Sequence, residues 1–175
     1  MNDMSLGFSL ESEKNETEKT SRQHLFGQAP GATDVWATPQ DFFDRVNQVF
    51  KFDLDVCALA ENAKCARFFS PEQDGLKQEW VGTCWMNPPY SREIALWVKK
   101  ADETARAGHT VVALLPSRTD VGWWQDYCLN REIHYIRGRL KFGGSKSNAP
   151  FGCALVVFRP CLNDVFNQDK NNDSN

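Results

Sequence analysis

No stretch of this chain approaches the ~20 consecutive apolar residues that a membrane span needs. Its start has neither the basic opening nor the continuous apolar run of a secretory signal, so neither a membrane partner nor export is expected. Zinc chemistry has little to stand on. The three histidines are far apart, and the six cysteines (Cys57, Cys65, Cys84, Cys128, Cys153 and Cys161) contain no C-x-x-C pair, so no metal is expected. Three of those cysteines lie in apolar, strand-like runs and read as reduced, structural thiols of a cytoplasmic protein.

What is present suffices for one domain and hardly a second: 175 residues, 41% hydrophobic and 12% aromatic. Residues 1–31 are polar, rich in Ser, Glu, Lys and Asn, and carry no useful period. Residues 163–175 are similarly polar and Asn/Asp-rich. Both read as tails around a folded unit over residues 32–162. The net charge of −3 does not advertise a nucleic-acid binder, but the charge is uneven. Within residues 131–146, Arg131, Arg137, Arg139, Lys141 and Lys146 stand against one acid, Glu132. Such a patch can hold phosphate on an acidic chain. A solvated charged face fits the same residues.

Thr38-Pro39-Gln40-Asp41 reads as a helix start, with Thr38 as N-cap and Pro39 at the first helical position. Phe42, Phe43, Val46, Val49 and Phe50 then recur at helical spacing and predict a face laid on a core. Phe52 to Val56 reads as a short strand, residues 57–80 as loops with a short helix, and Thr83 to Met86 as a buried strand. Ser91 caps a predicted helix with apolar face Ile94, Trp97, Val98, Ala101 and Ala105, stopped by Gly108. Thr110 to Leu115 is a continuous apolar strand, Val121 to Leu129 is helical, and Ile133–Ile136 and Cys153–Phe158 are two last strands. This order predicts an α/β fold, mostly parallel, with an antiparallel C-terminal strand pair at the edge.

Asn87-Pro88-Pro89-Tyr90, at the end of the strand 83–86, carries the most chemistry. In an open α/β sheet ligands bind at that carboxyl edge. Two prolines stiffen the turn and donate no hydrogen bond. The Asn87 side-chain oxygen and the Pro88 carbonyl then form a pair of acceptors that suits a planar amine with two N–H groups, and Tyr90 offers a flat face for a ring. An exocyclic nucleobase amine fits. Its lone pair is delocalised into the ring, and hydrogen bonds to two fixed acceptors make it available for attack on a methyl sulfonium. In a duplex the base would be flipped out first. Asp55, near the end of the first strand, is placed like a carboxylate that binds a cofactor's ribose hydroxyls or amino-acid end, and Asp74 is a weaker candidate. Trp123-Trp124 reads as a core anchor. The loop Gly143-Gly144 to Phe151 reads either as a closure over DNA or as an ordinary hairpin connection.

Over residues 34–160 the chain resembles phage-type DNA N-6-adenine methyltransferases, the Dam-like group of bacteriophages and prophages. The residues that carry the likeness are Thr38-Pro39, Asp53-Leu54-Asp55-Val56-Cys57-Ala58, Asn62-Ala63, Asp74-Gly75-Leu76 with Trp80, Asn87-Pro88-Pro89-Tyr90, Leu115-Pro116-Ser117-Arg118-Thr119-Asp120, and Gly138-Arg139-Leu140-Lys141-Phe142 with Ala149-Pro150-Phe151. The resemblance implies a Rossmann-like methyltransferase sheet, S-adenosyl-L-methionine as donor, and adenine in double-stranded DNA as target. By that likeness Asn87, Pro88, Pro89 and Tyr90 carry catalysis, while Thr38, Pro39, Asp55, Ala58 and Asn62 line the cofactor pocket. Arg118, Arg139, Lys141, Phe142 and Lys146 are the candidate DNA contacts. Loops 57–80, 117–122 and 143–152 would do any sequence reading.

The chain departs from the wider methyltransferase pattern in one respect. Val56-Cys57-Ala58-Leu59-Ala60 stands where a glycine-rich turn usually follows the first strand. Other readings stay open at this point: methylation of cytosine's amine, of adenine in RNA or of a glutamine side chain, or a non-catalytic DNA-binding protein of the same fold, as a monomer or a homodimer.

Overall fold

The computed structural model describes residues 36–143 and 147–161. The tails expected at 1–31 and 163–175, and Lys146, lie outside the described residues. In chain order the elements are α1 (Gln40–Phe50), β1 (Leu54–Asp55), a 3-10 turn (Gly75–Lys77), β2 (Thr83–Met86), α2 (Ile94–Arg106), β3 (Thr110–Pro116), a π-helical turn (Trp124–Cys128), β4 (Glu132–Tyr135) and β5 (Cys153–Phe158). The strands form one five-stranded sheet in the order β1-β2-β3-β5-β4. The first three run parallel, and β5 runs against both of its neighbours.

The expected antiparallel strand pair is present at the edge of the sheet, with β5 on the inside. All six residues of β5 are buried, and it pairs with β3 from Val111↔Phe158 to Pro116↔Cys153. A strand that is apolar on both faces needs cover on both sides and a neighbour at each edge. The mostly exposed β4 takes the edge instead.

Helix α1 begins with Pro39, not Thr38, in the N-cap position, and Phe43 N–H bonds the Pro39 carbonyl at 3.0 Å. Phe42, Phe43 and Val46 are buried as expected, whereas Val49 is 75% exposed, because the buried stripe is narrower than the apolar one. The helix stops at Lys51 in the left-handed region (φ 56), with Asn47 Oδ1 accepting the next N–H, from Phe52. The predicted strand 52–56 reduces to Leu54–Asp55, extended by single bonds from Asp53 N and Val56 N to Thr83 and Trp85 carbonyls.

Helix α2 buries the whole predicted face, Ile94, Trp97, Val98, Ala101 and Ala105, and Gly108 leaves it at φ 96, where only glycine fits comfortably. Glu93, not the expected Ser91, holds the N-cap position; Ser91 lies in the turn ahead of it, its hydroxyl accepting Glu93 N–H at 3.2 Å. The long crossover between β1 and β2 is held to α2 by tryptophans. Trp80 stacks on Trp97 at 6.0 Å, and its indole N–H donates to the Gly75 carbonyl at 2.8 Å.

This topology sorts the loops. The ends of β1, β2, β3 and β4 and the start of β5 all lie at one edge of the sheet. The turn after β1, the Asn-Pro-Pro-Tyr turn, the loop 117–122 and the described parts of the segment between β4 and β5 therefore start or end there. The start of β4 and the end of β5 lie at the opposite edge.

Candidate active site

Asn87 follows directly on Met86, the last residue of β2. Its Nδ2 donates to the Trp36 carbonyl at 2.5 Å and to Thr38 Oγ1 at 3.0 Å. A backbone carbonyl only accepts, so the amide nitrogen must face Trp36 and Oδ1 must face away. Oδ1 accepts one hydrogen bond, from the Tyr90 hydroxyl at 3.1 Å. An amide oxygen has two lone pairs, so one is left. The Pro88 carbonyl accepts no hydrogen bond among the described residues. One lone pair of Oδ1 and the Pro88 carbonyl therefore remain available on one rigid turn. Thr38 does not cap the helix as expected; its hydroxyl helps to fix the Asn87 amide instead.

Tyr90 does not present the open stacking face expected of it. It is 7% exposed and packed edge-on against Phe151 (5.5 Å) and Phe142 (6.3 Å). Its hydroxyl has one proton and two acceptor neighbours, Asn87 Oδ1 and the Leu114 carbonyl, each at 3.1 Å. Burial pushes its pKa well above the usual phenol value, so that proton stays on.

A cleft enclosing about 460 Å³ of empty space, part of it open to solvent, adjoins the tetrad. Trp36, Ala37 and Thr38 form one wall. Asp55, Cys57, Ala58, Leu59, Asn62 and Lys64 form another, and Trp85, Asn87, Pro88 and Pro89 complete it. The buried Asp55 carboxylate organises the second wall, one oxygen accepting Cys57 N–H at 3.3 Å and the other Lys64 N–H at 3.0 Å. Burial raises its pKa to about 7, against the opposing pull of those two N–H groups and the Lys64 charge. Asn62 Oδ1 accepts Leu59 N–H at 2.9 Å and closes the turn.

Of the cofactor candidates, the structure brings Thr38, Asp55, Ala58 and Asn62 together around this cleft. Pro39 starts α1 beside Thr38 but is not part of the wall. Asp74 is not there either. It occupies a left-handed turn (φ 55) that packs toward α2 and pairs with Lys77 at 3.0 Å.

Of the DNA candidates, Arg118, Arg139 and Lys141 are exposed in loops at the cleft's edge of the sheet, and Arg137 joins them. Arg139 also reaches the Ala149 carbonyl at 3.5 Å. Phe142 is 1% exposed, wedged between Trp36 and Tyr90, so it is a core residue in this conformation. Arg131 leaves the patch as well. It is bonded to the buried Asp102 at the opposite edge, together with Arg106 at 2.8 Å.

The family described as DNA N-6-adenine-methyltransferase (Dam) matches residues 29–171 of this chain. The DNA N-6-adenine-methyltransferase of Haemophilus phage HP1 is 41% identical over 140 residues, which is 73% of this chain and 79% of that protein. The protein of the same description from Escherichia phage T1 is 34% identical over 128 residues, 70% of this chain and 53% of its own length. The chain belongs to the DNA N-6-adenine-methyltransferase (Dam) family.

Three features of this Dam-family chain have no signal in the sequence pattern. An isolated Trp ahead of a helix carries no period, and only the fold shows the Trp36 carbonyl on Asn87. Gly75 marks a tight contact within the fold: a Cβ there would lie 2.1 Å from the Val56 carbonyl oxygen, so the far segment packs closely on the residues after β1. Arg92, exposed two residues after Tyr90, adds a cation beside the tetrad.

Proposed function

We propose that this chain transfers a methyl group from S-adenosyl-L-methionine to the N6 amine of adenine in double-stranded DNA, using a Rossmann-like methyltransferase sheet over residues 32–162. The observation that carries the reading is the fixed Asn87 amide: both Nδ2 hydrogens are spent on Trp36 and Thr38, which leaves Oδ1 as a preset acceptor beside the Pro88 carbonyl. Family membership and the phage relatives support adenine as the acceptor base and DNA as its carrier. The parallel β1-β2-β3 core with the tetrad at its carboxyl edge supports the sheet assignment.

The cleft fits the donor. Its wall combines a carboxylate, a hydroxyl, an amide and the Lys64 cation with the small Ala58. Thr38, Asp55, Ala58 and Asn62 would hold it, and when bound it supplies an electrophilic methyl on a sulfonium. The chain's own part is to present the nucleophile. Asn87 Oδ1 and the Pro88 carbonyl would accept hydrogen bonds from the two amine N–H groups, which favours a pyramidal nitrogen. The same acceptors then stabilise the positive charge that grows on that nitrogen, until a proton leaves to solvent. No charged base is required before attack. Tyr90 keeps Oδ1 aimed, and its proton can swing to the Leu114 carbonyl when the amine arrives. Arg118, Arg139 and Lys141 would grip phosphates around the extruded base.

The reading also takes the chain to act in the cytoplasm of a bacterial host as a phage or prophage product. Among the described residues no helix is long and apolar enough to cross a membrane. The test is incubation of unmethylated duplex DNA with methyl-labelled donor, followed by digestion to nucleosides and mass spectrometry. Label on N6-methyl-2′-deoxyadenosine is expected. Label confined to cytosine, or to protein, would reject adenine as the target.

A further inference from the structure

The acceptors at Asn87 hold an amine, but a planar base also needs a surface to lie against once it has left the stack, and so does a nucleoside donor. The residue expected to provide that surface, Tyr90, is 7% exposed with its hydroxyl engaged, and Phe142 is 1% exposed. Two aromatic side chains line the cleft. Trp85 is 1% exposed, its ring packed against Phe43 and Phe52, whereas Trp36 keeps solvent-accessible surface. The ring of Trp36 is braced by Phe142 at 5.2 Å and by Phe151 at 5.4 Å, the latter edge-on at 85°. Its backbone is tied down on both sides: its carbonyl takes Asn87 Nδ2, and the next carbonyl, of Ala37, takes Gly143 N–H at 2.8 Å. A large flat side chain that packs against two other rings, keeps part of its surface accessible, and belongs to the residue whose carbonyl anchors the catalytic amide is built to receive a ring.

We propose that Trp36 is a binding residue of this cleft, supplying the aromatic face on which an adenine ring stacks. The inference rests on the proposed methyl transfer, which brings two adenines to the site: the target base and the adenosine of the donor. Both offer the same π-face, and the experiment tells them apart. Base–aromatic stacking corresponds to a loss of roughly 10- to 100-fold in affinity when the aromatic is removed.

Trp36→Phe, Trp36→Leu and Trp36→Ala are compared with the wild-type chain after thermal melting confirms folding. Calorimetric affinity for S-adenosyl-L-methionine and kcat/KM for unmethylated duplex DNA at saturating donor are measured for each. Stacking predicts that Phe retains most function while Leu and Ala lose it by about 10- to 100-fold. If the ring belongs to the donor, the loss is in donor affinity; if it is the target base, donor affinity holds and kcat/KM for DNA falls. Values unchanged within about twofold in a folded Leu or Ala variant overturn the proposal, as does a Phe variant as impaired as Leu.

In wild-type protein labelled with fluorotryptophan, the Trp36 resonance, assigned from Trp36→Phe, decides the matter even where the smaller variants do not fold. It should shift on addition of donor or duplex, and a resonance that moves with neither contradicts stacking. A wild-type chain without methyl transfer but with a donor-shifted Trp36 keeps the stacking face and rejects the reaction. Active transfer with an unmoved resonance does the reverse.

Discussion

The hydroxyl of Tyr90 has one proton to share between Asn87 Oδ1 and the Leu114 carbonyl. Tyr90→Phe removes the bond that aims Oδ1 but leaves the two that anchor Nδ2. We expect methyl transfer to slow by roughly tenfold, the equivalent of one neutral hydrogen bond, with donor affinity unchanged; a parallel loss of donor affinity would mean that Tyr90 shapes the cleft instead.

Asp55 gives a pH signature. Its folded pKa, about 7, lies above the ordinary carboxyl value of 3.8, so the native state binds this proton more tightly than the unfolded one does. Its contribution to stability is therefore full below the ordinary value and declines as pH rises through 7. A cationic donor beside it favours the ionised form, so donor binding should release a proton near pH 7 and weaken as pH falls below it. Calorimetry in buffers of different ionisation heat measures that release directly. At this scale the sequence was informative about types and poor about partners. Asn87 and Asp55 were legible from their place at strand ends, whereas the bonds from Asn87 to Trp36 and Thr38 join residues some fifty positions apart.

Among the elements, the segment between β1 and β2 is the one least legible from pattern. It has no period because it is a wrapped loop, ordered by a buried carboxylate at one end and a tryptophan stack at the other. Gly75 is its tightest point. Gly75→Ala drives a methyl into the Val56 carbonyl, and we expect a loss of about 1–3 kcal/mol, typical of overpacking, read as a lower melting temperature with weakened donor binding. A variant as stable as the parent would show that the segment shifts freely. By contrast, the buried face of α2 and the strands 110–116 and 153–158 were legible to within a residue, since a wholly buried apolar strand and an amphipathic helix with a glycine stop announce themselves locally. The position of β5 inside the sheet was not, because pairing order is a non-local choice.

Over the whole molecule, the sheet separates two kinds of basic residue that the sequence places side by side. Arg139 and Lys141 stand exposed at the edge that holds the cleft, whereas Arg131 neutralises buried Asp102 at the other. Lys141→Ala should weaken duplex binding at every sequence and reduce the salt slope by about 1, leaving stability unaltered. Arg131→Ala should leave DNA binding alone and cost about 2 kcal/mol of stability, by leaving a buried carboxylate with one partner fewer. The opposite assignment of the two effects would refute the division of the sheet edges.

The measurement that bears most directly on the proposed chemistry is single-turnover formation of N6-methyladenine by Asn87→Ala, with donor affinity determined on the same sample. We predict a rate lower by about 10²–10³, as for loss of one preorganised polar group, at a donor affinity close to that of the parent. A variant that methylates adenine at the parental rate would place the chemistry somewhere other than the bend at the end of β2.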